Sequence, residues 1–156
     1  MNTIVVYDSQ FGNTERIAQT IADTMRAFGP ARVVRVNPTQ PLDCREADLL
    51  IIGSPTQGFR ATPAMQAFVG AVPFVLLPNL AVACFDTRVH GPWGSAARHL
   101  ARRLHARGVK LLVPPMSFFV QGTEGPLAKD EAELAGRWAL SLRQQYEALQ
   151  HHLVAH

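Results

Sequence analysis

Long apolar runs are missing from this chain. Its uninterrupted hydrophobic stretches fall far short of the roughly 20 residues that cross a bilayer, so no membrane association is expected. The N-terminus also lacks the basic, apolar, small-residue order of a secretory signal, which makes a cytoplasmic location the expectation. Cysteine is scarce: Cys44 and Cys84 stand far apart with no CxxC or metal-ligand spacing. That excludes a disulfide scaffold or a cysteine zinc site and predicts two inert, partly buried thiols. Internal repeats, low-complexity tracts and linkers are absent too. With 47% hydrophobic and 17% charged residues, the composition is that of an ordinary globular protein. Residues 1–156 read as a single domain, long enough for a sizeable core.

Neither sign of charge dominates strongly. Fifteen basic and twelve acidic residues give a formal charge of +3. Arg98, Arg102, Arg103 and Arg107 crowd one segment, but Ala97, Leu100, Ala101 and Leu104 form the apolar stripe of the same helix, which puts the arginines on its solvent side. With no aromatic platform interleaved among them, nucleic acid is not the expected partner. The terminal "HHLVAH" has a metal-like composition, yet histidines at a chain end are ordinarily just exposed; no metal is expected.

What is present is alternation. The runs "TIVVY" (3–7), "RVVRV" (32–36), "DLLIIG" (48–53), "LAVACF" (80–85) and "KLLVPPMSFFV" (110–120) are separated by helical patterns. The first, third and fourth are continuously hydrophobic, as in central parallel strands covered on both faces. The arginines of the second run and Pro114-Pro115 in the fifth mark those two as edges. Ile17, Ile21, Met25 and Phe28 recur at helical spacing, as do Leu134, Trp138, Leu142 and Leu149, and a shorter helix is predicted from Pro63. Trp138 and Met25 read as core. Gly29-Pro30 and Gly108 end two of the helices. The sum is a doubly wound α/β domain.

In such a sheet, ligands sit beyond the carboxyl ends of the strands where the winding reverses, so the loops 8–14, 54–62 and 86–94 should carry function. The first, within "YDSQFGNT", sets Ser9, Gly12, Asn13 and Thr14 at a helix N-terminus. Free backbone N–H groups there favour an anion, and the hydroxyls add donors. The same residues could equally be a plain helix cap by Asn13 or Thr14. The loop is neither a lysine-bearing GxxxxGK[ST] triphosphate loop nor a GxGxxG dinucleotide turn. The second loop, "SPTQGFRATP", is punctuated by Pro55, Gly58 and Pro63. The third, "DTRVHGPWG", sets Trp93 among polar residues and glycines, where an indole suits stacking on a planar ring.

At these residues the chain resembles the flavodoxin family over nearly its whole length. "VVYDSQFGNTERIAQTIA" is similar to that family's phosphate-binding signature, "IIGSPTQG" to its second flavin loop and "CFDTRVHGPWG" to its third, while "FFVQGTEGPL" is similar to the closing segment of some members. The resemblance implies a five-stranded parallel sheet of order 2-1-3-4-5 with helices on both faces. It also implies FMN at the switch point, a rule for which flavodoxins are themselves a standing example. By position, Ser9, Gln10, Phe11, Gly12, Asn13 and Thr14 would wrap the FMN phosphate with neutral donors. Pro55, Thr56, Gln57, Gly58 and Phe59 would border one side of the ring, and Asp86, Thr87, Arg88, His90, Gly91 and Trp93 the other.

Two departures stand out. Phe11 replaces a hydroxyl residue common in the family. Arg60, Arg88 and His90 also occupy the ring loops, where many flavodoxins are acidic. Cations favour the negatively charged reduced flavin: one pair about 4 Å apart at an effective dielectric of about 20 exchanges roughly 4 kcal/mol before solvation costs. An easily reached two-electron-reduced state is therefore expected, as is an acidic partner or an anionic substrate. The implied function is that of an electron carrier between redox partner proteins, with no catalytic side chain. The alternatives are an NAD(P)H-dependent quinone or FMN reductase of related fold, and a cofactor-free flavodoxin-like binding module. A receiver domain is set aside because no acidic pair follows the first strand and Gly53-Ser54 stand where a phosphorylatable aspartate would end the third.

Overall fold

Apolar strands need cover on both faces, and the helices supply it in pairs. In a computed structural model that describes residues 1–37 and 39–155, β1 (Thr3–Tyr7) is followed by α1 (Asn13–Met25), β2 (Ala31–Arg35), β3 (Leu49–Pro55), α2 (Pro63–Ala71), β4 (Ala81–Val89), α3 (Ala96–Ala106), β5 (Met116–Val120) and α4 (Glu131–Val154). The five strands form one parallel sheet in the order β2-β1-β3-β4-β5, the order that the family resemblance implies.

Strand alternation sorts the core into two halves. Val5, Ile51, Ala83 and Phe85 point to the side covered by α1 and α4, where Ile17, Ile21, Met25, Trp138 and Leu142 are buried. Phe85, Phe118 and Trp138 meet there edge to face, with centroids 5.8–6.0 Å apart. Val6, Leu50, Ile52, Val82 and Cys84 point to the other side, under α2 and α3, against Met65, Val69, Leu100 and Leu104. Each fully buried aliphatic chain contributes about 1.5–3 kcal/mol over an exposed one. Gly53 is required by this packing: a Cβ there would stand 2.1 Å from the Phe85 ring.

The edges follow their sequence signals. β5 starts only after Pro114-Pro115 and pairs with the last five residues of β4, Phe85 to Val89. The cysteines are more buried than expected, at 3% and 0% exposure for Cys44 and Cys84, and burial pushes the Cys84 thiol up to about 12. Arg107 is exposed, as expected for the solvent side of α3, but it also has partners. Its guanidinium donates to the carbonyls of Val69 (2.6 Å) and Val72 (2.7 Å) and lies over the Phe74 ring, so it caps the C-terminal end of α2. Arg98, Arg102 and Arg103 are exposed as expected. Among the described residues no helix is long and apolar enough to cross a membrane, and no three His, Cys, Asp or Glu side chains are grouped to hold a metal. His156 of the terminal histidine run lies outside the described residues.

Candidate functional site

The carboxyl ends of β1, β3 and β4 open onto one cleft of about 330 Å³, within the size range of small-ligand sites. Ser9, Gln10, Phe11, Asn13 and Thr14 line it from the first loop, Pro55, Thr56, Gln57 and Gly58 from the second, and Thr87 and Arg88 from β4. Val89, Val120 and Thr123 complete the wall. These three were not named as site residues, although Val89 lies in the 86–94 loop and the "FFVQGTEGPL" segment contains the other two.

The first loop is a turn held from within. Asp8 N donates to Gly53 O (3.0 Å), Ser9 N to Asp8 Oδ1 (2.9 Å) and Gly12 N to Ser9 Oγ (3.0 Å). Arg35 fixes the outer side by donating to Ser9 O. Gly12 serves as N-cap of α1 at φ 90°, with open space where a Cβ would stand and with no side-chain cap on the helix. The N–H groups of Asn13, Thr14 and Glu15 are therefore left without an acceptor among the described residues, the first intrahelical bond to Gly12 O being that of Arg16 N (3.1 Å). The cap reading of this loop is thereby removed. Asn13 instead donates to Glu124 O (3.2 Å), tying the loop to the segment after β5. Thr14 is buried, its hydroxyl 2.7 Å from that of Thr87. One hydrogen bond between two hydroxyls uses one proton and leaves the other to donate.

The second loop is a tight hairpin. Gln57 and Arg60 exchange both backbone hydrogen bonds (2.9 and 3.1 Å), and the two residues between them, Gly58 and Phe59, have φ of 55° and 67°, the pattern of a type I′ turn. Positive φ is ordinary for glycine but costs a bulky residue about 1–2 kcal/mol. Phe59 does not line the cleft; its ring is 56% exposed, and its Cβ abuts Gly94 of the third loop. Gln57 Nε2 donates to Gln10 Oε1 across the cleft mouth at 2.8 Å. Below, Ser54 Oγ receives Thr62 N (3.1 Å), Thr56 Oγ1 receives Ala96 N (3.0 Å) and Ala61 N donates to His99 Nδ1 (3.1 Å).

The third loop differs most from expectation. β4 runs on to Val89, so Asp86, Thr87 and Arg88 are strand residues of alternating direction. Thr87 and Arg88 reach the cleft, whereas Asp86 is fully buried on the α3 side, with Oδ2 accepting Ala97 N at 2.9 Å. Its Oδ1 has no hydrogen bond of normal geometry, although the hydroxyls of Ser117 and Ser95 approach closely enough to oppose the upward pKa shift that burial causes. Arg88 donates to the carbonyls of Gly91 (2.6 Å) and Trp93 (3.1 Å). His90 stacks on Phe119 at 3.8 Å, outside the cleft lining. The Trp93 ring is folded over Gly91, occupying the place a Cβ would take, and is 54% exposed.

A parallel five-stranded switch-point fold with an uncapped helix N-terminus facing a half-polar cleft defines a flavodoxin-like protein. The sequence profile of the flavodoxin family matches residues 5–138, and the chain belongs to that family. The family's members bind flavin and transfer electrons to partner proteins. Among solved structures, the chain superposes on Flavodoxin 1 from Bacillus cereus with a TM-score of 0.73, 17% identity and coverage of 92% of this chain and 98% of that one. A flavodoxin from the domain Archaea gives 0.73, 19%, 94% and 99%. The rubredoxin oxygen:oxidoreductase of Desulfovibrio gigas gives a TM-score of 0.77 at 20% identity; 94% of this chain corresponds to 36% of that one, so the likeness spans about a third of the larger protein. A comparison with curated protein sequences returned no match.

Proposed function

We propose that the protein binds FMN in this cleft and carries electrons between partner proteins. The observation that supports FMN is the uncapped start of α1: three N–H groups, of Asn13, Thr14 and Glu15, have no acceptor among the described residues and share the cleft end with the Ser9 hydroxyl. A phosphate is the ligand such a terminus favours. The first loop offers neutral donors only, and the guanidinium of Arg35 beside it is engaged by Ser9 O and by Asp8 at 3.7 Å. The flavin, when bound, supplies the electron-transfer chemistry.

The chain's own residues hold, border and screen. The Thr14–Thr87 pair offers one hydroxyl proton to the cleft. Pro55 to Gly58 on one side and Val89 and Val120 on the other would border a planar ring. Gln10 and Gln57, joined across the mouth, would part or reorient as it enters. The visible absorption spectrum, taken before and after adding FMN and removing the excess, tests the reading. Flavin bands that stay with the protein are expected; a protein that remains colourless at high FMN overturns it.

A further inference from the structure

Charge is distributed unevenly along the fold. From Leu49 to Thr123, a span that holds β3, α2, β4, α3 and β5, the only acidic residue is Asp86, and its side chain is fully buried. The same span carries seven arginines and lysines. The remaining eleven carboxylates belong to the segments before and after it, where Asp8, Asp23, Asp43 and Glu147 are paired with arginines.

The basic groups begin at the cleft lip. Arg60 is exposed in the hairpin whose Gln57 and Gly58 line the cleft. His99 of α3 accepts Ala61 N–H beside it. Arg102 and Arg103 follow His99 by three and four positions, on the same helical face, and both are exposed. Ala61 follows Arg60, so its hydrogen bond to His99 sets the hairpin's arginine beside the α3 face that carries Arg102 and Arg103. Beside the hairpin arginine stand two exposed large apolar residues, Phe59 and Trp93, at 56% and 54% exposure. Aromatic rings and arginines are enriched in protein interfaces, and here two exposed rings, on loops that touch at Phe59 and Gly94, adjoin exposed arginines.

We propose that the cleft rim and the adjoining face of α3 form a docking surface for an acidic redox partner protein. Phe59 and Trp93 are its apolar anchors, and Arg60, Arg102 and Arg103 guide the approach. What docking accomplishes rests on the FMN reading: one electron per encounter passes from reduced flavin to the partner's oxidised centre, and any proton the flavin gives up goes to solvent. Steering of this kind raises association rates and fades with salt.

The test compares the FMN-loaded protein with its double variant Arg102→Glu, Arg103→Glu, two residues outside the cleft. FMN titration by flavin fluorescence is the control; if neither protein takes up FMN, the cofactor reading fails while the docking measurement below still stands. Binding of a fluorescein-labelled peptide of alternating Asp and Leu, followed by anisotropy, is expected to weaken about tenfold in the variant and in high salt. Reoxidation of the reduced protein by ferricyanide should slow in the variant, and reoxidation by hexaammineruthenium(III) should quicken. Equal peptide affinity in both proteins, or unchanged rates with both complexes, overturns the proposal. An oligothymidylate of the same charge that binds more tightly than the peptide, with the same dependence on Arg102 and Arg103, also overturns it and reassigns the surface to nucleic acid.

Discussion

At the 8–14 end of the cleft the polar groups are left over, and at the 86–94 end they are used up within the protein. Asn13, Thr14 and Glu15 hold N–H groups with no acceptor among the described residues. Arg88, by contrast, is bound to two carbonyls of its own loop, His90 to Phe119 and the Trp93 indole to Gly91. The first arrangement is preorganised for an anion and loses nothing when one arrives. The second must trade internal contacts for ligand contacts, so it tunes more than it grips. Affinity should therefore reside at the first end and redox tuning at the second.

The largest effect that would break this contrast is at Ser9. Ser9→Asp places a carboxylate where the phosphate is proposed, and two like charges about 4 Å apart at an effective dielectric of about 20 oppose each other by roughly 4 kcal/mol. FMN affinity should fall about a thousandfold, while circular dichroism shows an intact fold, because an acidic side chain suits a helix N-terminus. Unchanged affinity would move the phosphate elsewhere. At the other end, Arg88→Ala should leave FMN bound but lower its two-electron midpoint potential by on the order of 30 mV, equivalent to about 1.4 kcal/mol; spectroelectrochemistry that finds no shift would remove Arg88 from the tuning role. Smaller still, Phe59→Gly relieves a positive φ and should hold or raise stability by up to about 1 kcal/mol, whereas Phe59→Ala should not. A clear loss of thermal stability in the glycine variant would show that the side chain's contacts, its Cβ against Gly94 among them, outweigh the strain.

The smallest expected effect is a slope. Burial raises the Asp86 pKa above its ordinary value of 3.8, so the folded protein binds this proton more tightly than the unfolded chain does. Stability from this group is present below the unfolded pKa and is lost as pH rises through the folded one. Asp86→Asn should remove that contribution and flatten the fall in melting temperature as pH rises above 4. A profile identical to that of the parent protein would mean that Asp86 does not titrate differently on folding.

Periodicity made most of the fold legible. The continuous runs became β1, β3 and β4, the arginine-bearing and proline-broken runs became edges, and the helical stripes became the buried faces of α1, α3 and α4, except that Phe28 falls beyond the end of α1 and Leu149 is exposed near the end of α4. Less legible was where strands stop. Ending the fourth strand at Phe85 put Asp86 in a loop and hence among the expected ring contacts. With the strand running to Val89, the two-residue alternation sends Asp86 toward α3 and Thr87 toward the cleft. The choice between cap and cradle at α1 could not be made from residue types, since Asn13 and Thr14 suit both. It turned on geometry: Gly12 takes the cap position, and Asn13 and Thr14 fall inside the helix. Likewise, nothing in the sequence distinguishes Arg107 from its solvated neighbours, because its partners are carbonyls of a different helix.

The uneven placement of carboxylates also gives the molecule a permanent orientation in an electric field. With the single carboxylate of the 49–123 span buried and the other eleven of its twelve acidic residues outside that span, the protein should settle on a negatively charged electrode with the cleft turned to the metal, and on a positive one with the cleft turned away. A film of FMN-loaded protein would then give a voltammetric wave on a carboxylate-coated electrode and little current on an amine-coated one.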